Sequence, residues 1–126
     1  MHSERYEKGM NVLKEHLGEQ AEKYIEAIRE VAPNFARVNV EFGFGDLYSS
    51  PVLDARTREL CTVAALTVQG FSLQELKIHI EAALRCGATQ DEIVEIITQM
   101  LAYVGFPAAT NAILLAKEIF KNYKNS

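Results

Sequence analysis

The chain has 126 residues, of which 48% are hydrophobic, and its formal net charge at pH 7 is -4. This length suits one domain with a sizeable apolar core, and we expect a single domain over residues 1–126. The acidic balance argues against binding to nucleic acid or anionic lipid, because those partners call for a basic face. No run of residues is apolar enough for a membrane span, and the first ten residues lack a secretory signal, so we expect a cytoplasmic protein.

The first half of the chain has the periodicity of amphipathic helices. Two apolar stripes predict the first two helices, with Gly18 as the break between them: Tyr6, Met10, Leu13 and Leu17, then Tyr24, Ile25, Ile28 and Val31. Pro33 stops the second helix and suits the first turn of a third. We expect this third helix to carry Phe35, Val38 and Phe42 and to fray at Gly43 and Gly45.

A fourth helix is predicted between Asp54, a suitable N-cap, and Gly70. It is apolar nearly all round from Leu60 to Val68, which is typical of a helix that is central or lies in a subunit interface.

The last three helices carry recognisable start signals. Ser72 with Glu75, and Thr89 with Glu92, have the spacing of capping boxes, and Pro107 opens the final helix. About six to seven helices without a convincing strand predict an all-α bundle that ends in a polar tail. The many aliphatic and small residues of the later helices favour homo-oligomerisation, although the same faces could also bury one another within the monomer.

Four segments together resemble the carboxymuconolactone decarboxylase family: RYEKGMNVLKE, EFGFGDLYSSPVLDARTREL, HIEAALRCGATQDEI and QMLAYVGFPAATNA. They follow the order of that family over almost the whole chain. The resemblance implies an all-α fold of the alkylhydroperoxidase-like type, usually a ring-shaped homohexamer. It also implies a step of aromatic catabolism, the loss of carbon dioxide from 4-carboxymuconolactone to give 3-oxoadipate enol-lactone, without metal or organic cofactor.

The sequence departs from the peroxidase branch of the same superfamily. That branch has a CxxC motif just before its histidine, whereas Ser72 and Glu75 stand at those positions ahead of His79. A thiol peroxidase needs an attacking and a resolving thiol. We expect Cys61 and Cys86 to be small core residues with reduced thiols. A thiol-dependent peroxidase and a non-catalytic oligomeric binder of small molecules remain as alternatives.

Decarboxylation needs a proton donor and stabilisation of a dienolate. His79 is the candidate donor, because its ordinary pKa lies near the pH of the cell. Glu75 precedes it by one helical turn and can orient or charge the imidazole. The spacing of Glu75 and His79 by itself would also fit a Glu–His pair at the protein surface. The resemblance places Glu59, within one position, where the superfamily has its relay glutamate, and a buried carboxylate there could act as acid or base.

Further residues are candidates for holding a flat, carboxylated lactone. A clamp for the substrate carboxylate is expected from Arg58, with Arg56 as the second choice. Pocket-lining side chains are expected from the aromatic residues Tyr48, Phe44 and Tyr103, with Glu41 as a further carboxylate. We expect His2 and His16 to be exposed, and no spacing in the sequence resembles a common metal site or a phosphate-binding loop.

Overall fold

A computed structural model describes residues 2–123, and this part of the chain contains helices and no strand. The all-α prediction is therefore confirmed. The chain divides into two compact units, one ending at Asp54 and the other beginning at Ala55. The polar tail expected after the last helix lies, from residue 124 on, outside the described residues. None of the described helices has the length and apolarity needed to cross a membrane.

The first unit contains α1 (Glu4–Leu17), α2 (Gln20–Arg29), α3 (Pro33–Val38) and a π-helix (Asn39–Leu47) that continues directly from α3. The predicted stripe of α1 is buried along its whole length, and Gly18 ends that helix with a φ of 62°. Pro33 stands in the first turn of α3, as predicted.

Close approach between α1 and the π-helix depends on two glycines. A Cβ on Gly9 would lie 2.1 Å from the carbonyl oxygen of Val40, and a Cβ on Gly45 would lie 2.9 Å from that of Arg5. Real side chains do not approach backbone this closely, so any residue with a Cβ would push the two helices apart.

The prediction for the third helix was wrong in two respects. The helix does not fray at Gly43 but continues in the π form to Leu47. Phe35, in α3, and Phe42, in the π-helix, are 64% and 53% exposed. At Phe42, the wider turn of the π-helix changes which residues share a face. Val40 and Phe44 are buried in their place. Val31, expected to belong to the stripe of α2, follows the end of that helix and is 87% exposed.

The second unit contains α4 (Ala55–Gln69), α5 (Leu73–Arg85), α6 (Gln90–Val104) and α7 (Phe106–Asn122). Its core joins all four helices: Val63, Leu76, Ile80, Ala83, Ala88, Ile93, Ile97, Ala112, Ala116 and Ile119. Burial of one large aliphatic side chain of this kind contributes roughly 1.5–3 kcal/mol. The core residues of α5 therefore stabilise this unit as well as fixing the position of that helix.

The ends of these helices follow the sequence signals in most cases. Gly70, Gly87 and Gly105 all have positive φ, and Thr89 and Glu92 form the predicted capping box at the start of α6. The second predicted box is absent. The Ser72 side chain makes no cap bond to α5 and donates instead to Oε1 of Gln69 at 2.6 Å.

Of the two positions predicted for α4, central or in a subunit interface, the central one is wrong. Only one face of the helix is buried, the one that carries Glu59, Val63 and Thr67 at successive turns. Cys61 is exposed and Cys86 is half-buried, so the expectation that both thiols are core residues was wrong. Neither forms a disulfide. An apolar composition cannot distinguish the face of a helix that packs from the face that does not.

Candidate active site

The candidate site lies where the buried face of α4 meets the middle of α5. Glu59 is in the second turn of α4, one turn before Val63 on the same face. His79 is flanked along α5 by Leu76 and Ile80, whose side chains belong to the core of the second unit. Both functional side chains therefore come from the interior of well-packed helices, which holds them more firmly than a loop would.

Two carboxylates face the two nitrogens of one imidazole. Oε1 of Glu59 lies 2.7 Å from Nδ1 of His79, and Oε1 of Glu75 lies 3.5 Å from Nε2. The side chain of Glu59 has 0% exposure and that of His79 has 9%, whereas Glu75 has 44%. The three groups form a line from a fully buried carboxylate through the imidazole to a carboxylate that is half-exposed.

Two opposing effects act on the pKa of His79. Burial disfavours the charged ring and lowers the pKa, but hydrogen bonds and Coulombic attraction from Glu59 and Glu75 outweigh it and raise the pKa from 6.5 to about 9. The ring is then an imidazolium at neutral pH. It carries both a proton and a positive charge at a site of low dielectric constant, where each interacts more strongly than in water.

The arrangement can act as an acid and a base. Glu59 accepts the hydrogen bond of Nδ1 and so orients the ring, as the buried carboxylate does in many catalytic histidine sites. Glu75 lies within reach of His79, as its spacing along the helix predicts. The structure brings Glu59, Glu75 and His79 together.

The two arginines of α4 are placed differently. Arg56 forms an ion pair with Glu92, the capping-box residue of α6, and both side chains are about one-third exposed. Arg58 directly precedes Glu59 and is half-buried, and its main-chain carbonyl accepts a hydrogen bond from the hydroxyl of Thr62. Arg56 is therefore already engaged with a carboxylate of its own unit. Tyr103, on α6, is 75% exposed.

The remaining carboxylate candidate, Glu41, lies in the first unit and links α1 to the π-helix. It is buried, accepts a hydrogen bond from the hydroxyl of Ser3 and pairs with Arg37 at 2.7 Å. Arg5 lies 3.8 Å away. The Ser3 hydroxyl and the two arginines hold the pKa of Glu41 below its ordinary value despite burial. This residue has a clear structural role in its own unit.

Phe44 and Tyr48 also pack within the first unit, against a histidine that the sequence analysis misplaced. The ring of His16 lies 6.3 Å from that of Phe44 and 5.2 Å from that of Tyr48, measured between centroids. His16 is 1% exposed, so its expected exposure was wrong, whereas His2 is exposed as predicted. The position of His16 between Leu13 and Leu17, on the apolar stripe of α1, was the signal for its burial.

Within residues 2–123, no group of three or more histidine, cysteine, aspartate or glutamate side chains is arranged to hold a metal ion.

Comparison with known proteins gives three informative relatives. The chain is 34% identical over 120 residues to 4-carboxymuconolactone decarboxylase of Acinetobacter baylyi, covering 94% of this chain and 89% of the relative. It is 36% identical over 95 residues to an uncharacterized 15.0 kDa protein of Paracoccus denitrificans, covering 75% and 71%. It is also 29% identical over 123 residues to nitrosuccinic acid decarboxylase of Metarhizium robertsii, covering 94% and 82%.

The family model described as Carboxymuconolactone decarboxylase family matches residues 33–118. This range includes α3, the π-helix, α4, α5 and α6 in full and most of α7. It contains all three residues of the candidate site. Because the family model matches residues 33–118 and a 34% identical relative aligns with 94% of the chain, this chain belongs to the carboxymuconolactone decarboxylase family.

Proposed function

We propose that this protein is a carboxy-lyase that removes carbon dioxide from a small carboxylated lactone without a cofactor. The first candidate substrate is 4-carboxymuconolactone, which would give 3-oxoadipate enol-lactone. The observation that carries the proposal is the buried imidazole of His79 between the carboxylates of Glu59 and Glu75, in a chain similar to two proteins named as decarboxylases.

The chemistry needs a positive charge and a proton. When the bond to the carboxylate breaks, its electron pair stays on the ring carbon and spreads through the double bond to the lactone carbonyl, giving a dienolate. One proton must then be added to carbon. The imidazolium of His79 supplies a positive charge that stabilises the dienolate as negative charge moves onto it from the departing carboxylate, and the site supplies the proton.

The names of the two decarboxylase relatives suggest what their substrates have in common. Carboxymuconolactone has a conjugated lactone carbonyl and nitrosuccinic acid has a nitro group, and either can accept the electron pair that carbon dioxide leaves behind. We therefore propose a substrate class wider than one lactone: small carboxylic acids in which an electron-withdrawing group is conjugated with, or attached to, the carbon that loses its carboxylate.

Residues other than Glu59, Glu75 and His79 are proposed to bind the rest of the substrate. Arg58, half-buried and next to Glu59 in α4, is the preferred clamp for a second carboxylate, because a guanidinium can bind a carboxylate through two parallel hydrogen bonds. Tyr103, Phe44, Tyr48 and Glu41 remain secondary candidates.

Assembly into a homo-oligomer, a hexameric ring in the first instance, is also proposed. The second unit leaves three aromatic side chains 72–80% exposed, namely Phe71, Tyr103 and Phe106. Aromatic side chains are enriched in subunit interfaces, which supports the proposal.

Measurement of carbon dioxide release tests the activity. Purified protein is offered 4-carboxymuconolactone, other carboxylated lactones and nitrosuccinic acid, beside the His79→Gln variant and the control His2→Gln, which changes an exposed histidine. We expect release from at least one substrate, reduced about 10²–10⁴-fold in His79→Gln and unchanged in the control. Absence of release by the unaltered protein across this panel would refute the activity. Equal release by His79→Gln would show that the imidazole is dispensable.

A further inference from the structure

The geometry of the site bears on which group delivers the proton to the substrate. Both nitrogens of the His79 ring face carboxylates of the same chain: Nδ1 faces Glu59 at 2.7 Å and Nε2 faces Glu75 at 3.5 Å. An imidazole has only these two positions from which a proton can leave. For His79 to protonate a substrate directly, Glu75 would first have to move away from Nε2.

The exposure of the three side chains also indicates that His79 does not protonate the substrate directly. The side chain of His79 is 9% exposed and that of Glu59 is 0% exposed, so neither presents much surface to a molecule arriving from solvent. The Glu75 side chain is 44% exposed and lies in the first turn of α5. Of the three groups, Glu75 is therefore the one that both touches the imidazole and can touch a substrate.

We propose that Glu75 is the catalytic residue that donates the proton to the substrate carbon. His79, oriented by Glu59, supplies the proton that Glu75 donates. This inference rests on the proposed decarboxylase function and assigns the roles within its site differently: His79 becomes the proton reservoir and Glu59 the positioning residue.

The proton and electron balance is complete without another reactant. Cleavage of the carbon–carbon bond releases carbon dioxide and leaves its electron pair on the dienolate. The proton on Nε2 of His79 passes to the Glu75 carboxylate, which delivers it to the dienolate carbon and forms the new carbon–hydrogen bond. His79 is then neutral and Glu75 is again a carboxylate. Water supplies one proton to His79, so each turnover consumes one proton and releases one carbon dioxide.

Kinetics of Glu75 variants test the assignment. Glu75→Gln keeps the size of the side chain but cannot carry a proton, and we expect kcat to fall about 100-fold or more with KM changed less than about threefold. The matched control is Glu81→Gln, two residues beyond His79 on the same helix and therefore directed to another side. We expect the control to keep the kcat of the unaltered protein.

Chemical rescue separates proton delivery from mere orientation of His79. Glu75→Ala removes the carboxylate and leaves space, so acetate added to the assay can take its place as proton carrier. We expect acetate to raise the kcat of Glu75→Ala about tenfold or more in a saturable manner, and to leave Glu75→Gln and the unaltered protein unchanged. If Glu75 only oriented His79, added acetate would not raise the kcat of Glu75→Ala.

The results that overturn this inference differ from those that refute the proposed function. If the unaltered protein releases carbon dioxide and His79→Gln does not, but Glu75→Gln retains about half of the kcat, His79 protonates the substrate directly and the assignment to Glu75 is wrong. Failure of acetate to raise the activity of Glu75→Ala would overturn it as well. Inactivity of the unaltered protein would instead remove the proposed function on which the inference rests.

Discussion

Glu59 and His79 are 20 residues apart in the chain, yet Oε1 of the glutamate lies 2.7 Å from Nδ1 of the imidazole. The carboxylate has no exposed surface, so water cannot solvate its charge, and the adjacent imidazolium offsets that cost. The pair is therefore strongly coupled. Removal of Glu59 leaves the imidazolium with Glu75 as its neighbouring carboxylate, and removal of His79 takes away the positive charge that lies 2.7 Å from Glu59.

Replacement of Glu59 by glutamine tests this coupling. The amide keeps the shape but loses the negative charge, so we expect the pKa of His79 to fall from about 9 and kcat to fall about 10²-fold or more. The pKa is measured by NMR titration of the His79 ring, and the limb of the pH profile that requires the protonated ring should shift to lower pH. A Glu59→Gln protein with the original His79 pKa would contradict the coupling.

The elevated pKa of His79 also predicts a pH-dependent free energy of unfolding. In the unfolded chain the imidazole titrates near 6.5, and in the folded protein it titrates at about 9. Below 6.5 both states bind the proton and the stabilisation is fully present; as pH rises through about 9 the folded state loses its proton and the stabilisation disappears. The loss should be about 3 kcal/mol between about pH 6 and about pH 10.

Urea unfolding at several pH values, at constant protein concentration, measures this loss. His79→Gln is the reference, because it removes the titrating group while lysines and tyrosines still titrate at high pH. The difference in pH dependence between the two proteins isolates the contribution of His79. Parallel curves for the two proteins would mean that the imidazole has the same pKa in both the folded and unfolded states.

The capping box of α6 is expected to stabilise the second unit. Thr89→Ala removes the side chain that accepts from the backbone N–H of Glu92 at 3.0 Å, and we expect a loss of about 1 kcal/mol in the free energy of unfolding. Thr98→Ala is the control, since Thr98 is exposed in the middle of the same helix and its hydroxyl donates to the main-chain carbonyl of Val94. Alanine favours helix interiors, so the control should be neutral or slightly stabilising. Equal destabilisation by both variants would argue against the cap.

Two glycines of the first unit form a second matched pair. Gly9→Ala would place a Cβ 2.1 Å from the carbonyl oxygen of Val40, so we expect a loss of about 2–3 kcal/mol in the free energy of unfolding. Gly43→Ala has its nearest neighbour, Oδ1 of Asn39, at 3.9 Å, and alanine there should stabilise by up to about 1 kcal/mol. Thermal unfolding measures both. A Gly9→Ala protein as stable as the parent would mean that α1 and the π-helix separate without cost.

The two cysteines are predicted to be dispensable for catalysis. We expect the Cys61→Ser/Cys86→Ser double variant to release carbon dioxide within about twofold of the parent rate, because thiol redox chemistry needs an attacking and a resolving thiol. Any turnover of peroxide should also be the same in both proteins. Loss of peroxide turnover in the double variant would instead favour the thiol-peroxidase alternative.

Sequence periodicity and end signals were sufficient for most of the fold. The stripe of α1, the capping box at Thr89 and the glycines that end α4, α5 and α6 were all predicted correctly, because each signal acts within a few residues. The π-helix was missed, since nothing in the local sequence distinguishes a chain that frays at Gly43 from one that continues with wider turns. Ser72 shows the same limit: its spacing to Glu75 fits a capping box, but its hydroxyl bonds to Gln69.

The burial of side chains and the contacts between residues distant in the chain were harder to predict from the sequence. Cys61 was expected inside and His16 outside, and both were wrong, because the side of a helix that is covered depends on which helices pack against it. The spacing of Glu75 and His79 predicted their proximity directly, since i and i+4 share a helix face. The approach of Glu59 to His79 could not be obtained from spacing, and only the resemblance to a known family suggested it.

The position of Glu59 and His79 in helix interiors has an evolutionary consequence. Val63, Leu76 and Ile80 surround the pair along α4 and α5 and belong to the core, so a mutation that displaces the acid–base machinery also weakens the unit that carries it. Selection for a new substrate would then act on the walls around the machinery and leave the machinery itself unchanged. Directed evolution of this scaffold should accordingly yield altered specificity at surface-facing positions, while lineages that lose Glu59 or His79 disappear early.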